Sequence, residues 1–224
     1  MCRQIRYVLL ILILDLSVVA LGAVTPKDVL GAVRALSWTN HDVDQENGPP
    51  RRAVYCTVFA VGPHQWVTAG HCIHGKQDYE VGEDARGGVP VTVIFVDAER
   101  DLAGLVDRSN YRHGVLTLAL REPQIDDDVV TAGYPYGLIK ILASGHVMTM
   151  AVHMRSPHET EQWYTYMNLS FCPGQSGSPV VTRGGLLVGV LQTFLASPCA
   201  SVAGVAPWGE LSHFLDEFKA LSSW

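Results

Sequence analysis

The 224-residue sequence is short of charge: 17% of its residues are Asp, Glu, Lys or Arg, against 48% hydrophobic. That balance excludes a disordered chain and leaves enough apolar material for a substantial core. Basic residues do not cluster beyond Arg51-Arg52, and the formal net charge is -6. The chain therefore offers no basic face for a nucleic acid. Aromatic residues are scattered rather than interleaved with basic ones, so base stacking has no support either. Internal repeats and low-complexity tracts are missing. Metal patterns are missing too: there is no CxxC, and the cysteine intervals of 16 and 27 residues fit no ordinary zinc site. Asp126-Asp127-Asp128 lacks the alternating oxygen ligands of a calcium loop and reads as a solvated turn. Beyond the N-terminus, no apolar run is long enough to span a bilayer.

What the N-terminus does contain is an address. Arg3 and Arg6 precede an apolar run from Tyr7 to Val24, interrupted by Asp15 and Ser17 and closing on Ala20-Leu21-Gly22-Ala23. A basic start, an apolar middle and small residues at the end describe a secretory signal peptide over 1–23. A membrane anchor is the rival, but Asp15 would sit at the middle of the span, where a carboxylate costs several kcal/mol. The expectation is a secreted, monomeric protein without a stable membrane anchor. Cys2 leaves with the signal, so the mature chain keeps Cys56, Cys72, Cys172 and Cys199, for which three pairings exist. An oxidising compartment favours two disulfides. Residues 24–52 read as an N-terminal extension or propeptide, with a short helix over Pro26–Leu36 and a dibasic Arg51-Arg52 near its end.

From Ala53 the texture changes to short β-type segments separated by glycines and prolines. Strands are expected over 53–61, 65–68, 79–81, 89–96, 102–106, 129–132, 139–150, 161–167, 179–181 and 186–193. Many short strands at fairly even spacing describe an antiparallel sandwich or barrel rather than alternating βαβ units. The end of the chain differs. Leu211, Phe214, Leu215, Phe218 and Leu221 fall on one face of an amphipathic helix of about three turns. One folded domain, of one or two subdomains, is expected over 53–224.

Three stretches carry chemistry. Phe171-Cys172-Pro173-Gly174-Gln175-Ser176-Gly177-Ser178-Pro179 sets a serine between two glycines at a turn. Trp66-Val67-Thr68-Ala69-Gly70-His71-Cys72 runs a β segment into a histidine, and Asp101-Leu102-Ala103 puts an acid at the head of an apolar segment. Acyl transfer by a serine needs a base to take the hydroxyl proton and a carboxylate to hold that base in the right tautomer. His71, Asp101 and Ser176 supply those types. Each alone has an ordinary structural reading, as an exposed histidine, a strand-head turn residue and a small-residue turn; together they make a nucleophile with a base and an orienter.

On these residues the chain resembles the chymotrypsin-fold, trypsin-like serine proteases over about residues 53–221. The signatures are Thr68-Ala69-Gly70-His71-Cys72, Asp101-Leu102-Ala103 and Gly174-Gln175-Ser176-Gly177-Ser178-Pro179. The resemblance implies an all-β fold of two antiparallel β-barrel subdomains with a C-terminal helix. It also implies a peptide or protein substrate, and no cofactor or metal. His71 becomes general base and then acid, Asp101 its orienter and Ser176 the nucleophile. The amides of Gly174 and Ser176 become the oxyanion hole, and the disulfides Cys56–Cys72 and Cys172–Cys199.

Departures from the family pattern narrow the resemblance. The interval from His71 to Asp101 is shorter than in the digestive enzymes and similar to that of the bacterial, viral and HtrA-type members, and Gly133-Tyr134-Pro135-Tyr136-Gly137 and Ser144-Gly145-His146-Val147 resemble the HtrA and glutamyl-endopeptidase side. Gln175 stands where zymogen-type members carry an aspartate that pairs with a freed N-terminus, so activation by that ion pair is not expected. The substrate pocket falls on Ser170 at its floor, with Gln192, Thr193, Phe194 and Gly204 as walls. An uncharged Ser170 points to a small or medium apolar side chain before the scissile bond. The alternatives are a catalytically silent protease-like binding module and an esterase using the same triad. A lipase-type hydrolase is excluded by chain order, because there the serine comes first.

Overall fold

The computed structural model describes residues 26–39, 52–75, 78–84, 87–110, 112–155, 161–195, 199 and 201–222. The signal-peptide stretch and Arg51 lie outside them. The chain begins with helix α1 (Pro26–Ala32) and strand β1 (Val33–Thr39). It continues with β2 (Arg52–Gly62), β3 (Gln65–Ala69), β4 (Asp78–Asp84), β5 (Gly87–Asp97) and β6 (Leu102–Asp107). These six strands close into a barrel in the order β1-β2-β3-β6-β5-β4. The second half holds β7 (Asp128–Gly133), β8 (Ile141–His146), β9 (Val152–Arg155), β10 (Glu161–Met167), β11 (Pro179–Thr182), β12 (Leu187–Phe194), β13 (Ala203–Ala206) and helix α2 (Trp208–Leu221).

The second lobe differs from the expected barrel. Its seven strands form a sheet in the order β8-β7-β11-β12-β13-β10-β9. The run 139–150, expected as one strand, stops pairing with β7 at His146. From there only Val147 bridges to Met167, with Met148 N–H donating to the Tyr166 carbonyl at 2.8 Å and Asn168 N–H to that of His146 at 2.9 Å. A single bridge draws the two ends of the sheet together without a continuous ladder.

The N-terminal boundary also moves. Residues 24–52 carry the expectation of an extension ahead of a domain starting at 53, but β1 lies within the barrel. It pairs with β2 on one side and β4 on the other. Val33 through Ser37 are buried. The helix expected over 26–36 ends at Ala32 because Val33 pairs into β2 and Ala35 and Leu36 serve both ladders instead. Apolar spacing in so short a run fits either structure, and long-range pairing decides. Leu36 then joins Val58, Trp66, Val81 and Leu105 in one core cluster.

Helix α2 docks by the expected stripe: Leu211, Phe214, Leu215 and Phe218 are buried. Phe214 stacks on Phe95 of β5 with ring centroids 5.2 Å apart, which ties the end of the chain to the first barrel. Leu221, assigned to the same face, is exposed because the helix ends there, with Ser222 N–H bonded to the Phe218 carbonyl. Among the described residues, no helix is long and apolar enough to cross a membrane.

Candidate active site

The three stretches singled out in the sequence converge where the lobes meet. β3 delivers His71 on a single 3-10 turn, Gly70–Cys72. Asp101 heads β6, the neighbour of β3, with Ala69 paired to Leu102. Its backbone is left-handed, with φ at +50°. That turn aims both carboxylate oxygens at one residue: Oδ1 accepts the His71 amide at 2.6 Å and Oδ2 meets His71 Nδ1 at 2.7 Å. Gly70 N–H donates to the Asp101 carbonyl at 2.8 Å. Asp101 is buried and the His71 ring is about a quarter exposed. A carboxylate on Nδ1 fixes the tautomer that leaves Nε2 as proton acceptor.

Ser176 sits in the turn between β10 and β11, clamped to both lobes. Thr57 N–H of β2 donates to the Ser176 carbonyl at 2.8 Å, and Gly177 N–H to that of Leu191 in β12 at 2.8 Å. Gly177 is left-handed and pressed on the first barrel. A Cβ there would lie 2.2 Å from the Thr57 carbonyl and 3.0 Å from Ala69 N, two residues before His71. A larger residue could not bring the serine turn this close to the histidine turn.

The backbone of 172–176 is held in a definite sense. Tyr136 N–H donates to the Pro173 carbonyl at 2.6 Å. In a trans peptide the N–H and C=O point to opposite sides, so the Gly174 N–H is turned away from Tyr136. Gly174 has φ of +93°, and a Cβ there would meet the Tyr134 carbonyl at 2.4 Å. Its own carbonyl accepts Thr57 Oγ1 at 3.0 Å, and that hydroxyl oxygen accepts Tyr134 N–H at 3.0 Å. Among the described residues, the amides of Gly174 and Ser176 donate to no backbone carbonyl. Gln175 is fully buried, and its Oε1 accepts Cys172 N–H at 2.8 Å. The position that carries an aspartate in zymogen-type proteases here braces the turn as an amide.

Both cysteine pairs are bonded, Cys56 to Cys72 and Cys172 to Cys199. The first ties β2 to the histidine turn and the second anchors the start of the serine turn. Cys56 and Cys72 stand within 4.8 Å of His71. Their sulfurs are joined to each other, so the grouping offers no thiolates to a metal.

The expected pocket residues do not all behave alike. Ser170 is exposed, as is Asn168 of the Asn168-Leu169-Ser170 sequon, while Leu169 is buried. Phe171 is buried and packs on Phe194 with centroids 5.8 Å apart. Gly204 is hemmed in, since a Cβ there would come within 2.5 Å of Thr193 Cγ2. Gln192, expected as a wall, is buried and turned inward. Its Nε2 donates to the carbonyls of Arg100 at 2.6 Å and Asp101 at 2.8 Å. Thr57, Tyr136 and Gln192 therefore support the site in ways no motif signals, because their partners are backbone groups distant in sequence. Two surface grooves lie elsewhere: one of about 690 Å³ runs along Tyr79, Glu80 and Val91. Another of the same volume lies between His64, Asp107 and Leu221.

Residues 56–190, more than half of the chain, match the family model described as a trypsin-like peptidase domain. A comparison with curated proteins found no match. Among solved structures, the active form of the Rv3671c protease from M. tuberculosis superposes with a TM-score of 0.69 at 19% identity, covering 88% of this chain and 86% of that one. The HtrA-type protease AlgW, solved with a decapeptide, gives 0.73 at 18% identity, covering 88% of this chain and 66% of that one. An inactive mutant form of Rv3671c gives 0.66 at 19% identity over 93% of this chain and 95% of that one.

Proposed function

The chain belongs to the trypsin-like peptidase family and is a serine-type endopeptidase, and we propose that His71, Asp101 and Ser176 are the residues that cleave the peptide bond. The observation that carries this reading is the pair of bonds from His71 to Asp101, through its amide and its Nδ1. An orienting carboxylate spent twice on one histidine is what a general base needs and what a merely structural histidine does not. Ser176 Oγ attacks the scissile carbonyl while His71 Nε2 takes its proton, and Asp101 stabilises the imidazolium that forms. The tetrahedral oxyanion is met by the N–H groups of Gly174 and Ser176, donors that cost no reorganisation because the 172–176 turn is already braced. His71 then gives its proton to the leaving amine. Water, activated by the same imidazole, releases the acyl group from Ser176.

The uncharged Ser170, the Phe171–Phe194 pair and the crowded Gly204 support a small or medium apolar side chain before the cleaved bond. The signal sequence over 1–23 and the two disulfides support release into an oxidising compartment. A cleavage-site profile on a denatured protein library, with Ser176→Ala as control, tests activity and preference together. Cleavage after small apolar residues, absent from the control, is expected. Cleavage after Lys or Arg overturns the preference, and cleavage that survives in the control overturns the nucleophile.

A further inference from the structure

We propose that Gln192 is a positioning residue for catalysis: a clamp from the second lobe that holds Asp101 in the backbone conformation the histidine requires. The inference rests on the triad reading given above. Asp101 is one of few described residues other than glycine with a left-handed backbone. In that conformation Oδ1 and Oδ2 reach the His71 amide and Nδ1 together. That conformation is disfavoured for L-residues, for Asp less than for most, so contacts that hold it bear on the site.

Gln192 supplies such contacts by an irregularity in β12. Leu191 pairs with Val205 and Thr193 with Gly204, so Gln192 is the extra residue of a β-bulge. A bulge re-aims the side chain it carries. Here the Gln192 side chain turns out of its own sheet toward the head of β6, where Nε2 meets the Arg100 and Asp101 carbonyls. The Asp101 carbonyl also accepts Gly70 N–H from the histidine turn. One oxygen therefore joins the base-bearing turn, the orienting residue and the second lobe. Gln192 is 4% exposed, so its amide is shielded from competing water. On the other side, Arg100 pairs with Asp97 and with Glu210 of α2, which fixes the chain just before Asp101.

The test is a double-mutant cycle on the full chain, with kcat and KM measured on an ester and a peptide substrate. Gln192→Met keeps the length and removes the donor; Gln192→Glu keeps the shape and presents an ionised acceptor to the two carbonyls. An orienter displaced by about 1 Å costs about 10²-fold in kcat. The expected result is a fall of that order with KM retained in at least one variant that unfolds cooperatively like the wild type. In an Asp101→Asn background the same Gln192 change is expected to have no further effect, because Gln192 acts through that carboxylate. An equal loss in both backgrounds, or full kcat in every folded variant, overturns the clamp. A wild-type chain inert on both substrates overturns the triad reading and the clamp with it.

Discussion

Replacing Gly177 with alanine should weaken the joint between the lobes more than one methyl group elsewhere in the chain. Gly177 has φ of +82°, and the new Cβ would lie 2.2 Å from the Thr57 carbonyl and 2.2 Å from Thr68 Oγ1. Neither neighbour can step aside. The Thr57 carbonyl belongs to the backbone of β2, and Thr68 Oγ1 is held against that same oxygen at 2.7 Å. The left-handed backbone costs an L-residue about 1 to 2 kcal/mol. Overpacking a closed site adds about 1 to 3 kcal/mol. The sum is about 2 to 5 kcal/mol, and for a chain of this size each kcal/mol lowers Tm by about 2 to 4 °C. Thermal unfolding followed by circular dichroism should therefore show a drop of roughly 4 to 20 °C. Turnover of the folded fraction should fall as well, since the strain acts one residue from Ser176. A variant with unchanged Tm and turnover would refute the claim that contact between the serine turn and the histidine strand is tight and obligatory.

Removing the chain up to residue 39 deletes β1, opens the closed barrel between β2 and β4, and uncovers the cluster around Leu36. The truncated chain should lose its near-ultraviolet circular dichroism and cooperative unfolding; a native spectrum would contradict a structural role for the strand. Asp101→Asn should leave stability nearly intact while kcat falls about 10⁴-fold, because the amide favours the wrong imidazole tautomer; steady-state kinetics beside a urea curve checks both. Asp107 should contribute to acid lability. Burial pushes its carboxyl up, but hydrogen bonds from Trp66, His64 and Ser109 outweigh this and hold it below the usual carboxylate range. Its folded pKa lies below its unfolded one, so its stabilisation is complete above the usual range and is lost as pH falls through the folded value. Urea unfolding between neutral and acid pH should show that slope, and Asp107→Asn should remove part of it.

The stretches that form the candidate site and most of the strands were legible in the sequence because their signals are local. A β run into Ala69-Gly70-His71, an acid opening Leu102-Ala103 and a serine between glycines are each readable within a few residues. The strand over 161–167 and the apolar stripe of α2 follow from alternation and from the helical period in the same way. What escaped was set by distant partners. β1 resembles the end of a helix until β2 and β4 are present to pair with it. The ladder between β7 and β8 ends at His146, and no residue near 146 announces it. Gln192 falls beside the expected pocket by sequence position, yet the bulge turns it to the opposite task. Thr57 looks like any strand threonine, and only the fold brings its hydroxyl between Gly174 and Tyr134.

The most direct test of the central claim is covalent labelling by a fluorophosphonate, read by peptide mass spectrometry on the intact chain. Such a probe reacts with a serine whose hydroxyl is activated by a base and whose oxyanion is stabilised. The predicted result is a single adduct on Ser176 that disappears in both His71→Ala and Ser176→Ala. An adduct on Ser170 or Ser178, labelling that persists without His71, or no adduct at all would contradict the account.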